Sequence, residues 1–451
     1  MSTNIQKNQI TEGIIWRQLL LFFFPILLGT FFQQLYNTID SVIVGQFVGK
    51  EALAAVGGSS AQIVAFVVGF FTGLSSGASV TIAQFFGAKD SRSANKGLHT
   101  AYAIAAFGGL ILTVSGIILT PFLLEMMNTP ADIVADSAVY LRIYFAGIIF
   151  VLIYNMGSAI LRATGDSKRP LYYLIVCCII NIVLDVLFVI VFHMGVMGVA
   201  VATLIAQAVS AVLVTLKLMR SEGILKLSVK QIRFHGSILK MQLKLGLPTG
   251  FEAILFSITN IAIQSAVNTF GTDTTAAWSA YGKLDAIFWM VSTAFGIAIT
   301  TFVGQNYGAG KMDRVRKSTR VCLLMDFIVS AVLVVFLIAA RFLLFRLFTN
   351  DSHVIEIGCD MLVLITPWYI VYVFIEVIAG ALRGVGNVVV PVAITLLGVC
   401  VLRIAWLAAM LKISPTISAI ILSYPVTWVI TALAFIIYYI YITHKTNRRK
   451  F

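Results

Sequence analysis

The sequence predicts an all-α integral membrane protein: 12 transmembrane helices in two six-helix parallel repeats, an N-lobe and a C-lobe, around a central cavity. Three observations carry that expectation. Hydrophobic residues make up 59% of the 451 and charged residues 11%, against about 45–50% and 25% in soluble domains. No soluble fold of this length hides so much apolar side chain, so lipid is the main solvent. Twelve apolar stretches of about 20–28 residues follow one another, each long enough to cross a bilayer of roughly 30 Å. Two landmarks also return at an offset of 221 residues. Gln84–Ala88 reads Gln-Phe-Phe-Gly-Ala and Gln305–Ala309 reads Gln-Asn-Tyr-Gly-Ala, while Leu161-Arg162, Gly165 and Pro170 return as Leu382-Arg383, Gly386 and Pro391. Two landmarks at one spacing mark two homologous halves.

Taken in order, the chain opens on a polar N-terminus up to Thr11 that carries no small-residue cleavage pattern, so no removable signal peptide is expected. Spans near 14–39, 52–80, 97–121, 133–160, 170–192 and 195–216 make up the N-lobe, residues 1–220. Pro25 falls inside the first span, where it removes a helical hydrogen bond and favours a kink. The run Gly69–Gly77 in the second span lets helices approach closely. A basic cytoplasmic connector, 221–244, interleaves Leu, Val and Ile with Lys and Arg; a plain linker and an interfacial amphipathic helix both fit it. The C-lobe, 245–451, holds spans near 245–270, 275–304, 319–341, 354–381, 388–411 and 414–442, then a basic tail. Pro248 sits at a depth similar to Pro25. An even number of spans per half makes both halves enter the membrane in the same direction, as parallel repeats.

Charge fixes the orientation. One set of alternate connections, both termini included, holds 25 of the 32 Lys and Arg, and the opposite set holds only Lys50, Arg341, Arg346 and Lys412. Both termini and the basic loops are therefore expected in the cytoplasm, in the plasma membrane. The net charge of +13 is then a topology signal and not a nucleic-acid surface. The five cysteines lie in or beside apolar segments without metal-ligand spacing and read as small core residues. No Walker A loop, dinucleotide fingerprint, metal-ligand spacing or nucleophile elbow is present, so no enzyme and no cofactor are expected. Any active transport must draw on an ion gradient.

Ionisable groups inside spans mark function by default. Asp40 lies about 24 residues, or about 36 Å of helix, beyond the cytoplasmic start of span 1. Asn181 and Asp185, four apart, share a face of span 5 in its outer half, and Thr203 lies two turns into span 6. Four polar side chains from three spans thus meet at one level. Two carboxylates held close in a dry site cannot both stay charged, so a proton or Na⁺ could load and unload there. In the C-lobe, Glu252 and Glu376 are candidates for a substrate or second cation site. Glu376 either faces the cavity or is neutralised by Arg403. Asp326 and the Asp285–Lys283 pair read as structural, and Arg162 and Arg383 as anchors at helix C-termini.

With twelve spans in two parallel halves, the stretch Leu35-Tyr36-Asn37-Thr38-Ile39-Asp40, then Val44-Gly45 and Ala52-Leu53-Ala54-Ala55-Val56-Gly57, resembles the multidrug and toxic compound extrusion (MATE) transporters. The repeated Gly-Ala and Leu-Arg…Gly…Pro signatures belong to the same pattern. The resemblance covers almost the whole chain and points to the branch related to DNA-damage-inducible protein F. In that branch a coupling site for H⁺ or another cation uses an Asp on helix 1, an Asn and an Asp four apart on helix 5 and a Thr on helix 6. These fall on Asp40, Asn181, Asp185 and Thr203, with Na⁺, where it is the ion, at Asp40, Asn181 and Asp185. Pro25 matches the proline at which helix 1 bends in some members. The Na⁺-coupled branch uses acidic residues on helices 7 and 10; those positions hold Phe256 and Tyr372 here, one turn from Glu252 and Glu376. The resemblance implies a monomeric antiporter that exports amphipathic, often cationic, organic molecules by alternating access. A flippase for lipid-linked saccharides is the alternative with a related fold.

Overall fold

Twelve helices are long and apolar enough to cross a membrane in the computed structural model, which describes residues 9–448. The polar stretch before Gln9 and the end of the basic tail, 449–451, lie outside the described residues. The first six helices are α1 (Ile15–Phe47), α2 (Lys50–Gly87), α3 (Ser91–Met126), α4 (Val134–Ala163), α5 (Lys168–Val191) and α6 (Gly195–Met219). The second six are α7 (Gly236–Asn268), α8 (Thr272–Gly308), α9 (Met312–Arg346), α10 (Ser352–Gly384), α11 (Val389–Ile413) and α12 (Ile417–Lys445). No strand occurs among the described residues. Every expected span has its helix, and most run longer than the apolar stretch alone. The first span, expected near 14–39, continues as helix to Phe47, longer than the apolar slab requires. Asp40 therefore lies about two turns inside the helix.

The 221-residue repeat reappears in backbone and side-chain geometry. Lys89 and Gly310 both adopt left-handed conformations, φ 58° and 70°, as do Gly165 and Gly386, at 97° and 86°. Glycine accepts that conformation without steric cost; Lys89 adopts it because the turn after α2 demands it. Ser79 Oγ donates to the Ala159 carbonyl at 3.3 Å. Its counterpart 221 positions on, Thr300 Oγ1, donates to the Gly380 carbonyl at 3.0 Å. The same interhelical bond is thus built twice.

Packing divides the chain into two compact units. The first is Phe24–Gly250; the second is Met1–Phe23 with Phe251–Phe451. The divisions fall inside α1 and α7, within two or three residues of Pro25 and Pro248, and not in the 221–244 connector. In the first unit the connector contains only two short 3₁₀ turns, Gly223–Leu225 and Val229–Gln231, before α7 begins. Residues 221–235 form no α-helix and serve as a linker, whereas the rest of the expected connector, 236–244, makes up the first turns of α7. The linker is held by Asn95, whose Nδ2 donates to the carbonyls of Ile224 and Lys226, both at 3.1 Å. His99 Nε2 also accepts from the Ser228 N–H at 3.0 Å. In the second unit the residues ahead of α1 are held in the same manner. Asn306 Nδ2 and Arg314 Nε donate to the Ile10 carbonyl at 3.5 and 3.1 Å, and Lys311 Nζ to that of Thr11 at 3.0 Å. In both units, then, the segment leading into one half rests beside the turn after the second helix of the other half.

The core of the first unit is aliphatic, around Leu74, Ile82, Leu98 and Ile160. That of the second is aromatic: Phe288 stacks on Tyr369 with centroids 3.9 Å apart, and Tyr372 and Tyr424 meet Trp428 edge-on. All five cysteines are buried with free thiols.

Candidate functional site

Three helices of the first unit each bring a pair of polar side chains four residues apart, hence on one face. α1 brings Tyr36 and Asp40, α5 brings Asn181 and Asp185, and α6 brings Thr203 and Gln207. All six are buried. Asp40 faces Asp185, Asn181 and Thr203. Asn181 Nδ2 approaches Thr203 Oγ1 at 3.5 Å, the long limit of a hydrogen bond, and Gln207 Nε2 donates to the Tyr36 hydroxyl at 3.3 Å. On the remaining side stands α4, whose Tyr140 lies within electrostatic reach of both carboxylates and stacks with Tyr144 at 6.2 Å. The four residues singled out in the sequence do come together. Tyr36, Gln207, Tyr140 and Tyr144 complete the group. Tyr36 and Gln207 were readable in outline, since each lies one helical turn from a residue already selected.

The electrostatics of this group are unfinished. Asp40 Oδ1, Asn181 Oδ1 and both carboxylate oxygens of Asp185 are buried without a hydrogen-bond partner. Asp185 has no exposed surface at all. Buried charge without a partner is strongly unfavourable, and two facing carboxylates repel each other. A proton shared between them, or a hard cation that prefers oxygen ligands, would relieve both. The residues present therefore fit a coupling ion. Local backbone agrees: α5 widens from α to π geometry at Val186–Val191, directly after Asp185. Such bulges are frequent at functional sites.

The second unit gathers a different set. Glu376 Oε1 accepts from Arg383 Nη2 at 2.9 Å, and a Cβ added at Gly296 of α8 would collide with that same oxygen. The neutralising partner is thus Arg383, seven residues along the same helix, and not Arg403. Nor is Arg383 a simple helix-end anchor. Arg403 instead donates from Nη2 to Thr427 Oγ1 at 2.9 Å and stacks its guanidinium over the Tyr424 ring at 4.0 Å. Glu252 lies within electrostatic reach of Arg383 and Glu376 and close to Thr395, but among the described residues it makes no ion pair within 4.0 Å. Asp285 does not pair with Lys283, which is exposed. It accepts instead from the Tyr281 and Tyr369 hydroxyls, at 3.3 and 2.5 Å, and from Trp289 Nε1 at 2.7 Å. Asp326 is buried, with Ser330 donating to it at 3.2 Å. Pro25 is buried inside α1, next to the point where that helix passes from one unit to the other.

The MatE family model matches residues 25–187 and 248–408, one stretch in each half. The chain belongs to the MatE family. The first matched stretch carries Asp40, Asn181 and Asp185; the second carries Glu252, Glu376, Arg383 and Arg403. Among relatives, the chain is 30% identical over 393 residues to the probable multidrug resistance protein YoeA of Bacillus subtilis, covering 85% of this chain and 84% of that one. It is 27% identical over 420 residues to the probable multidrug resistance protein NorM of Thermotoga maritima, covering 90% and 88%. Among solved structures, one described as the outward-facing conformation of a multidrug resistance MATE family transporter matches with a TM-score of 0.91. That match has 20% identity and covers 99% of this chain and all of the other, a likeness of fold.

Proposed function

We propose that this MatE protein is a secondary active multidrug exporter of the plasma membrane, exchanging amphipathic, often cationic, organic compounds for H⁺ or Na⁺ by alternating access. The observation that carries the reading is the set of partnerless buried oxygens on Asp40, Asn181 and Asp185. The printed names of the relatives support the cargo class. The distribution of Lys and Arg supports cytoplasmic termini, and a single chain holds both halves, so the working unit is a monomer.

The site couples through α1. With the ion bound, Asp40 and Asp185 no longer repel and α1 is held against α5 and α6. Without it, repulsion favours their separation. The first residues of α1, up to Phe23, belong to the second unit, and Pro25 supplies the missing backbone bond at which the helix gives way. A displacement at Asp40 therefore acts on a helix that both units share. Coupling follows because ion and cargo favour different states of that helix. In the second unit, Glu252 is the carboxylate for a cationic cargo or a second cation, since Glu376 already holds Arg383.

The test is efflux of a fluorescent organic cation from proteoliposomes under an imposed pH gradient or an imposed Na⁺ gradient, with wild type and Asp40→Asn. Gradient-driven efflux lost in the variant supports exchange coupled in the first unit. Efflux that survives the substitution moves coupling to Glu252. No efflux under either gradient refutes the exporter and makes lipid-linked saccharide the cargo to test.

A further inference from the structure

A groove of about 860 Å³ opens on the second unit between α9, α10 and α12. It lies at the ends of these helices remote from the basic turn that precedes α9. Its four charged lining residues are confined to the end nearest the helix termini, and beyond them the α10 lining is apolar. Arg341 and Arg346 come from α9; Glu356 and Asp360, four apart on one face, come from α10. Among the described residues, no ion pair within 4.0 Å involves any of these four. About one turn further along α10, toward mid-membrane, Val363 and Leu364 line the groove at 41% and 39% exposure, while Phe342, level with the two arginines, carries the Arg341 guanidinium over its ring at 4.6 Å. Behind it, fully buried Phe345 packs where a Cβ on Gly358 would collide with its ring, so α9 and α10 are held close. Cations are scarce on this side of the membrane: of Lys50, Arg341, Arg346 and Lys412, two line this one groove.

That sequence of charge and apolar surface matches a phospholipid standing in the leaflet opposite the basic loops. Two guanidiniums suit a phosphate, which they hold by charge-assisted hydrogen bonds. Two carboxylates one turn apart exclude a purely anionic headgroup, which would leave them uncompensated. They fit a primary ammonium, which donates up to three hydrogen bonds; a quaternary ammonium donates none. We propose that the groove is a binding site for an aminophospholipid of the phosphatidylethanolamine type. Arg341 and Arg346 hold the phosphate, Glu356 and Asp360 the ammonium, and an acyl chain runs along Val363 and Leu364. The site is independent of the Asp40 group, which lies in the other unit. Its assignment to the outer leaflet rests on the proposed topology.

The experiment reconstitutes the full chain in vesicles of equal phosphatidylethanolamine, phosphatidylcholine and phosphatidylglycerol. It then extracts the protein mildly and counts retained lipid by native mass spectrometry. Wild type is expected to keep phosphatidylethanolamine over the other two by on the order of tenfold, the factor that a single charge-assisted hydrogen bond supplies. Arg341→Gln with Arg346→Gln removes retention of all three. Glu356→Gln with Asp360→Asn keeps a lipid but makes the ethanolamine and choline forms equal. Equal retention of the three lipids by wild type overturns the proposal, as does preference for phosphatidylglycerol. A dimer trapped by cross-linking through Phe342→Cys would show that a second copy covers the groove, and overturns it too. If the double arginine variant fails to fold, headgroup selectivity in wild type and in the carboxylate variant still decides.

Discussion

Replacing Asp185 with Asn tests the claim that the site in the first unit lacks a positive partner. The side chains are nearly the same size, so packing among α1, α5 and α6 is kept. The facing pair loses one ionisable group, and an amide donor is placed where both Asp185 oxygens now lack a partner and where Asp40 Oδ1 waits unbonded nearby. A hydrogen bond to a charged acceptor contributes about 1.5–3 kcal/mol, and relieving an unsatisfied buried group about 1–3 kcal/mol. The expected outcome is therefore a more stable protein, by about 2 kcal/mol, in buffer free of Na⁺ at neutral pH. Gradient-driven transport is lost in the same variant. Thermal unfolding in detergent, read by circular dichroism at a fixed scan rate, ranks the two proteins. All six tryptophans, Trp16, Trp278, Trp289, Trp368, Trp406 and Trp428, belong to the second unit, so their fluorescence follows the unit that the substitution does not touch. A variant less stable than wild type by a similar amount would show that Asp185 is already satisfied as a carboxylate, and the coupling argument would fall with it.

Three further outcomes follow from the geometry. Arg383→Gln should cost on the order of 3 kcal/mol of stability, because it strands Glu376, whose side chain is 20% exposed. A double-mutant cycle should then find Glu376 coupled to Arg383 and uncoupled from Arg403; the reverse pattern would refute the pairing. Ser79→Ala and Thr300→Val remove equivalent interhelical bonds in the two halves and should each cost about 0.6 kcal/mol, the mean for such bonds in membranes. Thermal midpoints that move in opposite directions would contradict that equivalence. In the connector, burial first, then the positive charges of Arg233 and Lys96 and the neighbouring His99, hold the His235 imidazole below its usual value of 6.5. The neutral form is favoured in the fold, so its contribution is whole above about pH 6.5 and is lost as pH falls through the lower native value. Tryptic cleavage of the connector, normalised to a free peptide, should speed up in acid for wild type but not for His235→Gln.

Composition and period determined a great deal of this molecule before any packing was considered. Apolar length alone requires a helix at each span, because backbone groups in lipid must be satisfied within the segment. The 221-residue offset reappears in the left-handed turns at Lys89 and Gly310. Asp40, Asn181, Asp185 and Thr203 were legible as a group because helical rise converts sequence distance into depth, and four-residue spacing into a shared face. What sequence could not decide is which long side chain reaches which. Glu376 stands seven residues from Arg383 and twenty-seven from Arg403, and both lie at the right depth; only the room left by Gly296 and the stacking of Arg403 on Tyr424 select the first. The unit boundaries inside α1 and α7 were invisible for a related reason. Hydropathy reads a helix as one object, whereas packing assigns each of its turns to whichever neighbours bury it.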